Sequence, residues 1–104
     1  MLFGRIVGTV VSTRKDEKIE GLKLQVVETL DIKSNPTNNY VVAVDAVGAG
    51  VGEIILYSTG SSARQTILTH EKPCDAVIMA IVDSWDVNNE IIYTKDTPPA
   101  FYQD

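Results

Sequence analysis

The sequence predicts an all-β protein, a small closed barrel with one short helix. Three observations predict it. The chain has 104 residues, with no linker and no internal repeat, so it fits one domain with a thin core. Its apolar pattern is mostly period two and rich in β-branched residues, the signature of strands. Five or six such runs follow one another, and closing them into a barrel removes the exposed strand edges that favour aggregation. An open β-sandwich is the main alternative.

The first run, "LFGRIVGTVVST" (residues 2–13), has apolar residues on both faces. Ile6 and Val10 share one face, interrupted by Gly4 and Gly8, and Val7 and Val11 lie on the other. Such a strand is covered on two sides, by the core and by a neighbouring subunit. The charged stretch around Arg14, Lys15, Asp16, Glu17, Lys18 and Glu20 mixes both signs and reads as a solvated hairpin tip. "GLKLQVVETLDI" then alternates, with Leu22, Leu24 and Val26 on one side and Lys23 and Gln25 on the other, a half-buried strand. "KSNPTNN" is a polar loop with turn formers Asn35 and Pro36.

"YVVAVDAV" is the third strand and "EIILYS" the fourth. "GSSARQTIL" opens the short helix, with Ser61 or Ser62 as its cap. "DAVIMAIVDSWDV" is helical by length but strand-like in its β-branched residues, which decide for a strand. "VNNE" makes a hairpin turn before "IIYTK". The barrel domain therefore spans residues 1–96. Residues 97–104, with two consecutive prolines and the pair Phe101 and Tyr102, form a tail that leaves the sheet and either packs on a neighbour or frays. The nearest small architecture with these elements is a barrel resembling an oligonucleotide-binding fold.

Composition narrows the function. A formal charge of −5 disfavours nucleic acid and anionic membrane surfaces as partners. Cys74 is alone, so it forms no internal disulfide, and with His70 it is a poor metal set. It reads as a quiet residue beside a strand start. No run approaches a membrane span, and the first residues carry no secretory pattern, which points to a cytoplasmic protein or one enclosed within something cytoplasmic.

The glycine-rich "GAGVG" (residues 48–52) raises the question of a phosphate cradle. Its spacing is not G-x-G-x-x-G, and the residues after it read as strand, whereas a dinucleotide loop must open a helix. A tight turn that lets backbones approach explains the glycines better. "GSSAR" offers hydroxyls and Arg64 to an anion, but Arg64 pairing across an interface explains it more simply. The carboxylates Asp45, Asp75, Asp83 and Asp86 are scattered, and those at strand margins, Asp45 and Asp75, serve local backbone hydrogen bonds. Ser61, Ser62 and His70 lack the setting of a nucleophile. No catalytic residue, cofactor site or metal site emerges. The seven aromatics are dispersed, without the positive groove that single-strand binding needs. Trp85 is a core or interface anchor.

Three segments carry a specific resemblance: "GRIVGTVVSTRKDEKIEGLKLQVV", "VAVDAVGAGVGEIILYSTGSSAR" and "CDAVIMAIVDSWDVNNEIIYTK". In order and spacing the chain resembles the ethanolamine-utilisation and carboxysome vertex proteins of bacterial microcompartments. The pair "DAVGAGVGE" and "GSSAR" is the most specific part; residues 34–39 and the tail are more individual. The resemblance implies a structural, non-enzymatic shell protein with an oligonucleotide-binding-like barrel. It implies a homopentamer shaped like a truncated pyramid, plugging five-fold corners of a shell that lies in the cytoplasm and is tiled by hexameric shell proteins. It also implies that Asp45, Gly48, Ala49, Gly50, Val51, Gly52 and Glu53, with Gly60, Ser61, Ser62 and Arg64, lie near subunit contacts. A ring repeats one heterologous contact, so each copy needs two different adhesive faces; the doubly apolar first strand and the glycine loop are the candidates. Two other readings stay open, a single-stranded nucleic-acid-binding barrel and a small enzyme using Asp45 and Arg64 around a ligand.

Overall fold

A computed structural model describes residues 1–70, 72 and 74–95. The expected tail, including Phe101 and Tyr102, lies outside the described residues. Among the described residues seven strands form: β1 (Leu2–Val10), β2 (Leu24–Leu30), β3 (Pro36–Asp45), β4 (Ile54–Thr59), β5 (Ala76–Ile81), β6 (Ser84–Val87) and β7 (Glu90–Thr94). The first five close into a barrel in the order β1-β2-β3-β5-β4, and β6 and β7 make a separate two-stranded ribbon. All barrel pairings are antiparallel except β3 with β5. This five-stranded closed barrel is consistent with an oligonucleotide-binding-like fold. Closure excludes the open sandwich.

The interior is filled by Ile6, Val27, Ala43, Ile55, Tyr57, Ala76 and Ile78, all buried. Gly4 is required here by space: a Cβ would collide with Val27 Cγ1 and crowd the Tyr57 ring. Two further clusters lie outside the barrel wall. Val44, Ala63 and Val77 pack with Leu22, Leu24, Cys74 and Met79 under the 3-10 turn Gly60–Arg64. Leu30, Ile54 and Val82 pack with Phe3, Leu56, Trp85 and Tyr93, where the β6–β7 ribbon lies on the barrel.

Several expectations change. Ile6 and Val10 do not share a face. Ile6 pairs with Val27 and Val10 with Leu24, positions of opposite parity on β2, because a bulge between Ile6 and Gly8 inserts Val7. The alternation in β2 holds with its sense reversed: Gln25 and Val27 point inward and are buried, while Leu24 belongs to an outer cluster. The polar loop is shorter than expected, since β3 begins at Pro36, and Asp31 closes the turn by accepting the Lys33 and Asn35 amides at 2.9 Å. The short helix is a 3-10 turn whose cap position is Thr59, without a side-chain cap bond, so neither Ser61 nor Ser62 caps it. A second 3-10 turn, Glu17–Ile19, lies in the charged stretch, capped by the Asp16 carboxylate.

The run 75–87 is two strands. After Ile81 the chain leaves the barrel, with the Val82 amide donating to the Ile54 carbonyl at 2.9 Å, and β6 starts the ribbon. The turn expected at "VNNE" is present. Asn88 and Asn89 both have positive φ, 53° and 67°, as a two-residue primed turn requires.

Candidate functional site

The glycine loop joins β3 to β4, and two carboxylates organise it from its two ends. At the start, Asp45 Oδ1 accepts the amides of Val47 at 3.0 Å and Gly48 at 2.9 Å. At the end, Glu53 Oε1 accepts the Gly50 amide at 2.8 Å. The Gly52 amide donates to the Ile6 carbonyl at 2.8 Å, and Ile6 returns a bond to the Glu53 carbonyl at 3.0 Å. The amides of Val47, Gly48, Gly50 and Gly52 are therefore already spent within the chain and are not offered to a phosphate. Gly48 and Gly52 have φ of +76° and +95°, yet a Cβ on either would meet nothing within 4 Å in this chain. Backbone conformation, and not crowding inside the protomer, explains these two glycines.

Ala49, at the centre of the loop, is fully buried in the interior cluster. Gln25 holds it there. Its Nε2 donates to the Ala49 carbonyl at 2.8 Å and to Asp45 Oδ2 at 3.3 Å, while its Oε1 accepts from Thr9 at 3.2 Å. A buried amide is tolerated when its groups are satisfied, as here. Lys23 Nζ lies 3.8 Å from Asp45 Oδ2. Burial works against the Asp45 charge, but the amides of Val47, Ala49 and Gly48 and the Gln25 side chain outweigh it. The carboxyl stays below its ordinary range. Glu53 is held low by the Gly50 amide first and then by Lys95, whose Nζ donates to Glu53 Oε2 at 2.9 Å; the same bond raises Lys95.

The second candidate segment, Gly60–Arg64, is held separately. The Gly60 amide donates to the Asp75 carbonyl at 2.8 Å, and Arg64 Nη1 donates to the Cys74 carbonyl at 3.0 Å. Ser61 and Ser62 are exposed, and Ala63 is buried against Val44, the neighbour of Asp45. The two segments thus come together through this outer cluster. Cys74 is partly buried in it, and burial pushes its thiol up, which lowers its reactivity.

The pairing of Asp45 and Arg64 around a ligand is not what the fold builds. The Asp45 side chain is 1% exposed and saturated with donors, and the Arg64 guanidinium is turned to a backbone carbonyl. Three residues of the site carried no signal of this role in the sequence: Gln25, Lys23 and Lys95.

Fold and loop together define a class: small closed β-barrels whose glycine loop is architecture and not a ligand cradle. Comparison with known proteins narrows it. A family described as "Ethanolamine utilisation protein EutN/carboxysome" matches residues 1–83. The carboxysome shell vertex protein CcmL of Gloeobacter violaceus is 41% identical over 95 residues, which cover 91% of this chain and 95% of that protein. Its solved structure superposes with a TM-score of 0.90, covering 93% of this chain and 100% of the other. The "GrpN pentameric microcompartment shell protein" of Rhodospirillum rubrum is 47% identical, with a TM-score of 0.77 over 84% of this chain and 99% of that one. The chain belongs to the EutN/CcmL family of microcompartment shell vertex proteins.

Proposed function

We propose that this chain is a structural shell protein that assembles as a homopentamer and caps the five-fold vertices of a bacterial microcompartment in the cytoplasm. The observation that carries this reading is its likeness, over nearly its whole length, to shell vertex proteins, one of them pentameric. Five copies around a corner give curvature that six-fold tiles lack. The partners are further copies of this chain and, at the rim, hexameric shell proteins; nucleic acid and membranes have no part in the role.

Contacts between copies form at the segments Asp45–Glu53 and Gly60–Arg64 through their exposed residues, Gly48, Val51, Gly52, Gly60, Ser61 and Ser62, while the buried Asp45 and Ala49 shape the loop from within. Exposed apolar residues support association: Val51 in the loop is 64% exposed, and Val7 on β1 and Tyr40 and Val42 on β3 stand in water. Covering such residues stabilises association by about 25 cal/mol per Å² before ordering costs. The role asks for no chemistry, in keeping with loop amides and carboxylates that satisfy one another.

Native mass measurement tests the assembly. A five-fold mass is expected, and a persistent single chain at high concentration would overturn the reading. In cells, loss of the protein is expected to leave shells elongated or leaky with their enzymes still active. Normally closed shells would count against it.

A further inference from the structure

We propose that the β6–β7 ribbon acts as a strap on the glycine loop, and that Lys95 is the positioning residue through which it acts. Lys95 follows β7 directly, and its amide donates to the Asp83 carbonyl at 2.8 Å, which closes the base of the ribbon. Its ammonium reaches across to Glu53 Oε2 at 2.9 Å, while the other oxygen of the same carboxylate holds the Gly50 amide at 2.8 Å. One side chain of the barrel thus receives the ribbon on one oxygen and the loop on the other.

The ribbon is not free to drift. The Trp85 ring stacks on Phe3 with centroids 4.0 Å apart, and its Nε1 donates to the Ile32 carbonyl at 2.9 Å. Tyr93 lies against the same indole at 5.4 Å. The position of Lys95 is therefore fixed by aromatic packing on β1. The other end of the loop has a different anchor, the buried Gln25–Asp45 pair. Lys95 lies beyond residues 1–83, which the family model matches.

The strap sets the loop for contact with a neighbouring copy; this last step rests on the proposed pentamer. The Glu53 and Lys95 side chains are 27% and 42% exposed, so the pair is open to salt and to substitution.

Amide hydrogen exchange of the full chain tests the strap independently of assembly. Lys95→Met is expected to speed exchange at Gly50 and its loop neighbours roughly two- to five-fold, the range of a part-exposed ion pair. Core amides of β2 should be unchanged, and Lys95→Arg should restore protection. Added salt should speed loop exchange in the natural chain and not in Lys95→Met. Glu53→Gln should reproduce the Lys95→Met effect. Unchanged loop exchange in Lys95→Met, or no recovery in Lys95→Arg, overturns the strap. Native mass of the same variants addresses the contact: a pentamer that dissociates more readily in Lys95→Met supports it, and a looser loop with unchanged assembly confines the strap to the protomer and overturns its link to the contact.

Discussion

The outer wall of the barrel is treated differently on two sides. Over β1 and β4, Phe3, Ile54 and Leu56 are roofed by the β6–β7 ribbon and its Trp85. Over β1 and β3, Val7, Tyr40 and Val42 are left 40%, 59% and 49% exposed. Both sides are apolar, and among the described residues only one is covered from within the chain. A protein that roofs one face with its own ribbon and leaves another bare has divided its surface between folding and association.

Perturbing each side should separate these two uses. Trp85→Ala strips the roof, losing the Phe3 stack and the bond to Ile32. It is expected to lower stability by about 2–3 kcal/mol, less than a fully buried tryptophan because the ring is only half-buried. Denaturant unfolding should show this loss equally at low and high protein concentration. A loss that vanishes on dilution would mean that the ribbon serves association and not the fold.

Gln25→Leu keeps the volume but leaves the Ala49 carbonyl without its donor and Asp45 short of one. It should cost about 1–3 kcal/mol, again independent of concentration, with faster amide exchange from Val47 to Gly52. Acid probes the same anchor. Asp45 and Glu53 have lowered folded values, so the stability they contribute is present above their unfolded values near pH 4 and is lost as the pH falls through the lower folded ones. In that window the unfolded chain binds more protons. Thermal melts between neutral and acid pH should show the decline, and Asp45→Asn should flatten it.

The bare side should give the smallest effect on the fold. Val42→Thr and Val7→Thr are expected to change protomer stability by no more than about 0.5 kcal/mol, while sedimentation shows weaker assembly. Normal assembly in the double variant would remove this face from the contact and leave the two loop segments to carry it.

Much of this fold was legible in the sequence because period two survives wherever a strand has one wet face. The strand class, the barrel and the asparagine turn at residues 88–89 all rest on local signals. What escaped depends on distant partners. The bulge at Val7 reverses the facing of every residue after it in β1, and nothing local marks it beyond the neighbouring Gly8. Gln25 looked like the wet side of its strand because its partners, Asp45 and Ala49, are 20 and 24 residues away. The break after Ile81 was hidden because the apolar run continues through Val82, and Trp85 follows soon after, although both pack in a different cluster from Ile78. In the loop, the glycines and Asp45 stood out by type. Lys95 did not, since a lysine at a strand end has an ordinary explanation in solvent.

Ala49 seated among Ile6, Ile55 and Ile78 leaves the lumen of the barrel solid. Side chains fill the space inside an individual copy. Whatever crosses a corner built from this protein must pass where copies meet, so permeability there is a property of the ring and its axis, tunable by surface residues without touching the hydrophobic interior.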